Sequence, residues 1–213
     1  MTKKVRVLVV EGVDRSGKDT LVRKLGENGI HQFKHNALET NLHREYYSIT
    51  RSNMKSDNAE FVSRLTKSMA IVEFMQLLAF IKRYHFEHNI DMFSVARLFP
   101  STVVYDAVRG IKPDFSLKSD LLRIKLRFEQ ENDIEIDMRL LTLFVNAAVM
   151  IERGSTTDSF EIKNYHRIEH EFEEYTMNEI SYPIMFNKSK MLNVTTLSMD
   201  EIVTLAENFL FQS

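Results

Sequence analysis

From Val5 to Val10 the chain reads VRVLVV, an apolar run broken only by Arg6. Such a run suits a strand covered on both faces, as in a parallel sheet. Leu21, Val22 and Leu25 then recur at helical spacing, so a helix is expected to start near Lys18. Asn28-Gly29 marks a turn before a short second strand expected over Ile30 to His35. The polar stretch that follows, with Glu39, Arg44 and Arg51, reads as loop with a short helix. Ala59 to Asn89 is patterned as helix, with Phe61, Leu65, Met69, Val72, Met75 and Leu78 near one face.

Met92 to Leu98 (MFSVARL) predicts a third strand, and Thr102 to Arg109 a helix that Gly110 and Pro113 end. Ser119 and Asp120 open an amphipathic helix through Phe128. Arg139 to Asn146 (RLLTLFVN) predicts the fourth strand, followed by a short helix from Ala147 to Arg153 that Gly154 stops. Phe160 to Ile180 predicts a long helix with Ile162, Tyr165, Ile168, Phe172 and Tyr175 inward. Met191 to Thr195 gives a last strand, and Ser198 with Glu201 forms a capping box for a helix ending near Phe211. The alternation of strands and helices predicts one α/β domain over residues 1–213, with about five parallel strands flanked by helices.

Composition narrows the classes. The 213 residues carry a net charge of −2, which gives no electrostatic pull toward nucleic acid, so no nucleic-acid partner is expected. The absence of cysteine excludes disulfides and thiolate metal sites and fits an expectation of a cytoplasmic protein. No apolar run is long enough to span a bilayer and no secretory core precedes the first strand, so no membrane association is expected. His166 and His170 have a spacing that suits a metal, but their glutamate-rich neighbours make a solvated face the better reading.

The chemistry concentrates after the first strand. Gly12, Gly17 and Lys18 stand at G-x-x-x-x-G-K spacing between a strand and a helix, the context of a phosphate-binding loop. Glycines let backbone N–H groups close around phosphate oxygens, and the helix start adds unpaired donors. Gly12, Val13, Asp14, Arg15, Ser16, Gly17, Lys18, Asp19 and Thr20 are therefore candidates to hold ATP, with Lys18 on its terminal phosphates. The residue after Lys18 is Asp19 rather than the usual Ser or Thr. Asp19 and Thr20 both remain candidates for Mg2+, since carboxylate and hydroxyl are hard oxygen ligands.

The phrase EGVDRSGKDT resembles the phosphate loop of thymidylate kinases and related deoxynucleoside monophosphate kinases, with Glu11, Asp14 and Arg15 matching as well as the glycines. The GKD variant is similar to some viral deoxynucleotide kinases. The resemblance implies a three-layer P-loop NTPase fold and ATP-dependent phosphorylation of a deoxynucleoside monophosphate, dTMP first, with Mg2+. It implies that Asp14 meets the acceptor sugar and that Arg15 reaches the transferring phosphoryl group. At the end of the third strand the family has Asp-Arg, an aromatic and a Ser; Ala96 replaces the Asp, while Arg97 and Ser101 match. Arg97 is thereby expected on the acceptor phosphate, making Lys18, Arg15 and Arg97 the catalytic set. Tyr105 is expected near the acceptor sugar or base, or in the core. For the base, the family's register points to Phe74 near Gln76, or to Phe80 and Arg83. A lid is expected at about 153–163, with Arg153 clamping the donor. Family members often pair as dimers, and the helix from Met69 to Phe80 is open to that role or to core packing. Two other readings stand: a deoxynucleoside kinase, with Glu39 as its base, or a nucleotide-binding protein of this fold without catalysis.

Overall fold

The computed structural model describes residues 3–34, 48, 52–53, 58–112, 115–152 and 159–212. Strand β1 (Lys3–Gly12) buries Val5 and Val7 to Val10 completely, as its apolar run requires. After it come α1 (Lys18–Glu27), β2 (His31–Phe33), α2 (Ala59–His88), β3 (Met92–Ala96), α3 (Phe99–Val108) and α4 (Phe115–Asn132). The chain continues with β4 (Ile134–Phe144), α5 (Ala147–Glu152), α6 (Ser159–Ser181), β5 (Lys188–Asn193) and α7 (Met199–Phe211).

The five strands form one sheet in the order β2-β3-β1-β4-β5, with every pairing parallel. Helix α1 packs on α7, while α3 packs on both α2 and α6, which gives the sheet its helical layers. The expected three-layer α/β architecture is therefore observed. From β1 the chain goes first to the edge strand β2, returns as β3 beside β1, and then crosses to β4 and β5 on the other side. Loops after β1 and β3 thus meet at the crevice where open α/β sheets hold ligands. Register fixes the depth of that crevice: Val10 pairs with Ala96, and Glu11 with Thr142.

Several boundaries differ from the sequence expectation. Strand β4 starts at Ile134 rather than Arg139, because Ile136 and Met138 are buried and Asp137 is neutralised by Arg139 at 2.7 Å. Strand β5 covers 188–193 rather than 191–195; it is the sheet edge, where lysines are accommodated. Helix α4 begins at Phe115, before Ser119. Helix α3 begins at Phe99, earlier than the expected Thr102, with Pro100 in its first turn.

On α2 the buried face is Val62, Thr66, Met69, Ala70, Phe74, Leu77, Leu78 and Ile81. Met75, expected on that face, is 54% exposed, whereas Met69, Leu78 and Phe80 belong to the core. Phe99 anchors this side, with Phe74 edge-on at 6.0 Å and Phe186 stacked at 5.5 Å. The capping box of α7 forms as read from the sequence. No helix among the described residues is long and apolar enough to cross a membrane. Glu39, Arg44, Arg51, Pro113 and Arg153 lie outside the described residues, as does the first part of the expected lid.

Candidate functional site

The loop from Gly12 to Lys18 turns sharply because its backbone occupies left-handed conformations. Gly12 has φ 131° and Gly17 φ 94°. A Cβ on Gly12 would stand 2.1 Å from the Leu143 carbonyl oxygen, so only glycine fits against β4. Arg15 holds φ 61°, a conformation that disfavours side chains. Val13 and Ser16 are buried beneath the loop, while Asp14 and Arg15 are half-buried on it. Gly17 is the N-cap of α1 and provides no side-chain cap, so the first amides of the helix face the loop unfilled by side chains.

Lys18 folds back into this loop. Its Nζ donates to the Val13 carbonyl at 2.6 Å and lies 3.4 Å from Ser16 Oγ, and the residue is only 3% exposed. Burial lowers its pKa to about 8, and the positive charge of Arg97 acts in the same direction. Asp19 and Thr20, on the first turn of α1, are exposed.

Across the crevice, Arg97 follows β3 with φ 64°. Its backbone N–H donates to Val10 at 2.9 Å. Its guanidinium pairs with the Asp14 carboxylate and reaches the Tyr105 hydroxyl at 3.4 Å. Tyr105 in turn donates to Glu161, from the first turn of α6, and the Glu161 carboxylate lies 3.9 Å from Arg97. Burial pushes the Glu161 carboxyl upward; the Tyr105 hydrogen bond opposes this and the Asp14 charge adds to it. Burial likewise raises the Tyr105 phenol, which stays a donor at neutral pH. Arg109 backs the group, its guanidinium 5.9 Å from the Tyr105 ring and 5.3 Å from the Phe160 ring.

The structure thus brings together Asp14, Lys18, Arg97 and Tyr105, with Arg15 on the same loop. Two expectations are corrected. Phe74 is fully buried against Phe99 and presents no ring to a ligand. The alternative register fares no better, because Phe80 packs on His31 and Phe93 while Arg83 pairs on the surface with Glu87. Ser101 is placed where expected, but its hydroxyl donates inward to Glu11 at 2.7 Å.

Sequence reasoning missed Glu161 and the contacts of Glu11. A signal for Glu161 existed: it lies four residues before Tyr165, on the same stripe as Ile168, Phe172 and Tyr175. The stripe was misjudged at its start, since Ile162 is 49% exposed.

Asp19 and Thr20, next to Lys18 in the chain, are hard oxygen donors that would suit Mg2+. Among the described residues no group of three His, Cys, Asp or Glu side chains is placed to hold a metal. That donor set fits a magnesium ion carried mainly by nucleotide phosphates and water, with one protein contact.

No protein-family model matches the chain, and neither does any curated protein. Among solved structures it is similar to thymidylate kinase from Candida albicans, at 14% identity and TM-score 0.66, covering 96% of this chain and 90% of that one. Thymidylate kinase from Ehrlichia chaffeensis matches at 15% identity and TM-score 0.57, over 98% and 100% of the two chains. Deoxyadenosine kinase from M. mycoides, solved with bound dATP, matches at 15% identity and TM-score 0.54, over 96% and 99%. At these identities the likeness establishes the fold.

Proposed function

We propose that this chain is an ATP-dependent kinase that phosphorylates a deoxynucleoside monophosphate, dTMP first, to the diphosphate. The observation that carries the reading is the pairing of two half-sites across one crevice. A glycine loop with Lys18 faces a cluster of Arg97, Asp14, Tyr105 and Glu161. The similarity in fold to two thymidylate kinases supports the same reading.

Phosphoryl transfer of this kind needs alignment and charge neutralisation more than covalent chemistry. The loop amides and Lys18 take the β- and γ-phosphates of ATP. Incoming phosphate draws Lys18 away from the Val13 carbonyl and restores its full charge. Arg15, three residues before Lys18 on the same loop, is assigned to the transferring group. Arg97 exchanges its pairing with Asp14 for the acceptor phosphate, and the freed Asp14 carboxylate accepts from the sugar hydroxyl. Mg2+ held at Asp19 or Thr20 supplies neutralisation of the donor phosphates when bound.

A coupled assay with ATP and Mg2+ against the monophosphates dTMP, dUMP, dCMP, dAMP and dGMP tests this. Turnover of at least one monophosphate, abolished by Lys18→Ala, is expected; no turnover with any of them would refute the reading. A second reading, a deoxynucleoside kinase, has one specific observation behind it: the acceptor half-site holds two carboxylates around Arg97. The fold is also similar to that of a deoxyadenosine kinase. Adding the free deoxynucleosides to the panel separates the two.

A further inference from the structure

Glu11 ends the apolar run of β1, yet it is a carboxylate with no exposed surface. Burying a carboxylate is unfavourable unless its oxygens are matched by donors. Both are matched, and by one element: Oε1 accepts from the Leu98 backbone N–H at 2.7 Å and Oε2 from the Ser101 hydroxyl at 2.7 Å. Leu98 is the N-cap of α3 and offers no side-chain cap of its own, while Ser101 is the third residue of that helix. In an ordinary capping box, the third residue of the helix reaches back to the N-cap N–H. Here the reach is made from another strand, and a negative group is set at the positive end of the helix.

Arg97 lies between the two fixed points. Its own N–H is held by the Val10 carbonyl at 2.9 Å, and the next N–H in the chain is held by Glu11. Between these bonds Arg97 adopts φ 64°. A non-glycine residue keeps such a conformation only where its surroundings over-determine it. Neighbouring residues of one strand, Val10 and Glu11, supply that determination, and the next residue along is Gly12 of the phosphate loop.

We infer that Glu11 is a positioning residue: by capping α3 from β1 it fixes the backbone of Arg97 and so registers the acceptor half-site against the phosphate loop. The inference rests on the proposed kinase reading for its kinetic consequences, but not for its geometry. Glu11→Ala removes both bonds. Glu11→Gln keeps them, because the amide oxygen accepts from Leu98 and the amide nitrogen donates to Ser101.

The test combines crystal structures and steady-state kinetics of these variants. In Glu11→Ala, Arg97 is expected to leave the left-handed region and its pairing with Asp14 to be lost. The acceptor KM is expected to rise about tenfold or more, with the ATP Kd, measured without acceptor, within about twofold of wild type. Glu11→Gln is expected within about threefold of wild type in every constant. Unchanged Arg97 geometry and acceptor KM in Glu11→Ala would overturn the inference, and so would an equal loss of ATP affinity. A Gln variant as impaired as the Ala variant would also overturn it, since charge rather than capping would then matter. Should Glu11→Ala fail to fold, Ser101→Ala removes one of the two bonds, and a shifted Arg97 with a several-fold higher acceptor KM is expected. If wild type phosphorylates nothing, the kinase reading fails, while the Arg97 backbone in the variant crystals still decides this one.

Discussion

Two residues of the loop between β1 and α1 are constrained in opposite ways. Gly12 is constrained by space: added bulk meets the β4 backbone at 2.1 Å, and φ 131° is closed to other residues. Gly12→Ala is expected to destabilise the fold by roughly 3 kcal/mol or more, read from urea denaturation, because neither loop nor strand can shift without breaking β1–β4 pairing. Lys18 is constrained by charge. Burial lowers its pKa to about 8 in the free protein, so it is about half neutral at pH 8. Bound phosphates favour the ammonium form, so binding ATP above pH 8 takes up a proton. The sign is fixed: ATP affinity falls as pH rises from 7 to 9, and at pH 8.5 uptake is about half a proton or more. Calorimetry in buffers of different ionisation enthalpy measures this. A proton balance near zero, or the same uptake in Lys18→Ala, would rule it out.

At the scale of elements, α3 is the piece on which the candidate site and the core meet. Its first residue, Phe99, is fully buried between Phe74 and Phe186, and its Tyr105 reaches into the site. Phe99→Ala should cost about 3–5 kcal/mol in stability, measured by chemical denaturation. A loss below 1 kcal/mol would mean that this stack does not anchor the helix. The same helix shows what the sequence revealed and what it hid. The sharp turn through Gly12 and Gly17 was legible because a tight strand-to-helix loop needs glycine where φ is positive, so local sequence carries the information. Arg97 and Tyr105 were legible only through resemblance. Glu161 was not legible as a site residue, because its role depends on α6 lying over α3, a tertiary fact. The aromatic on α2 was misassigned for the same reason: Phe74 sits at the expected spacing, but the helix is rotated so that the ring enters the core. Strand β4 began earlier than read because Asp137 is tolerated inside the sheet only by the adjacent Arg139.

For the whole molecule, the sheet order sets the β1–α1 connection, with Asp14 and Lys18, beside the β3–α3 connection, with Arg97 and Tyr105, and α6 adds Glu161. Neither connection alone holds a complete site, so ligands that bridge both should stabilise the fold more than ligands that fill one. A bisubstrate mimic, adenosine joined to deoxythymidine through a pentaphosphate, provides the test. A ligand at a hundred times its Kd stabilises a protein by about 2.7 kcal/mol. In a chain of this size each kcal/mol raises the melting temperature by about 2–4 °C. At equal concentration the bisubstrate binds far more tightly than ATP, since its second half is delivered at high effective concentration. Its shift should therefore exceed that of ATP and dTMP added together. Arg97→Ala should reduce the bisubstrate shift to that of ATP alone while leaving the ATP shift in place. Equal shifts for ATP and the bisubstrate in wild type would mean that the Arg97 cluster does not receive the acceptor, and that the crevice serves a single nucleotide.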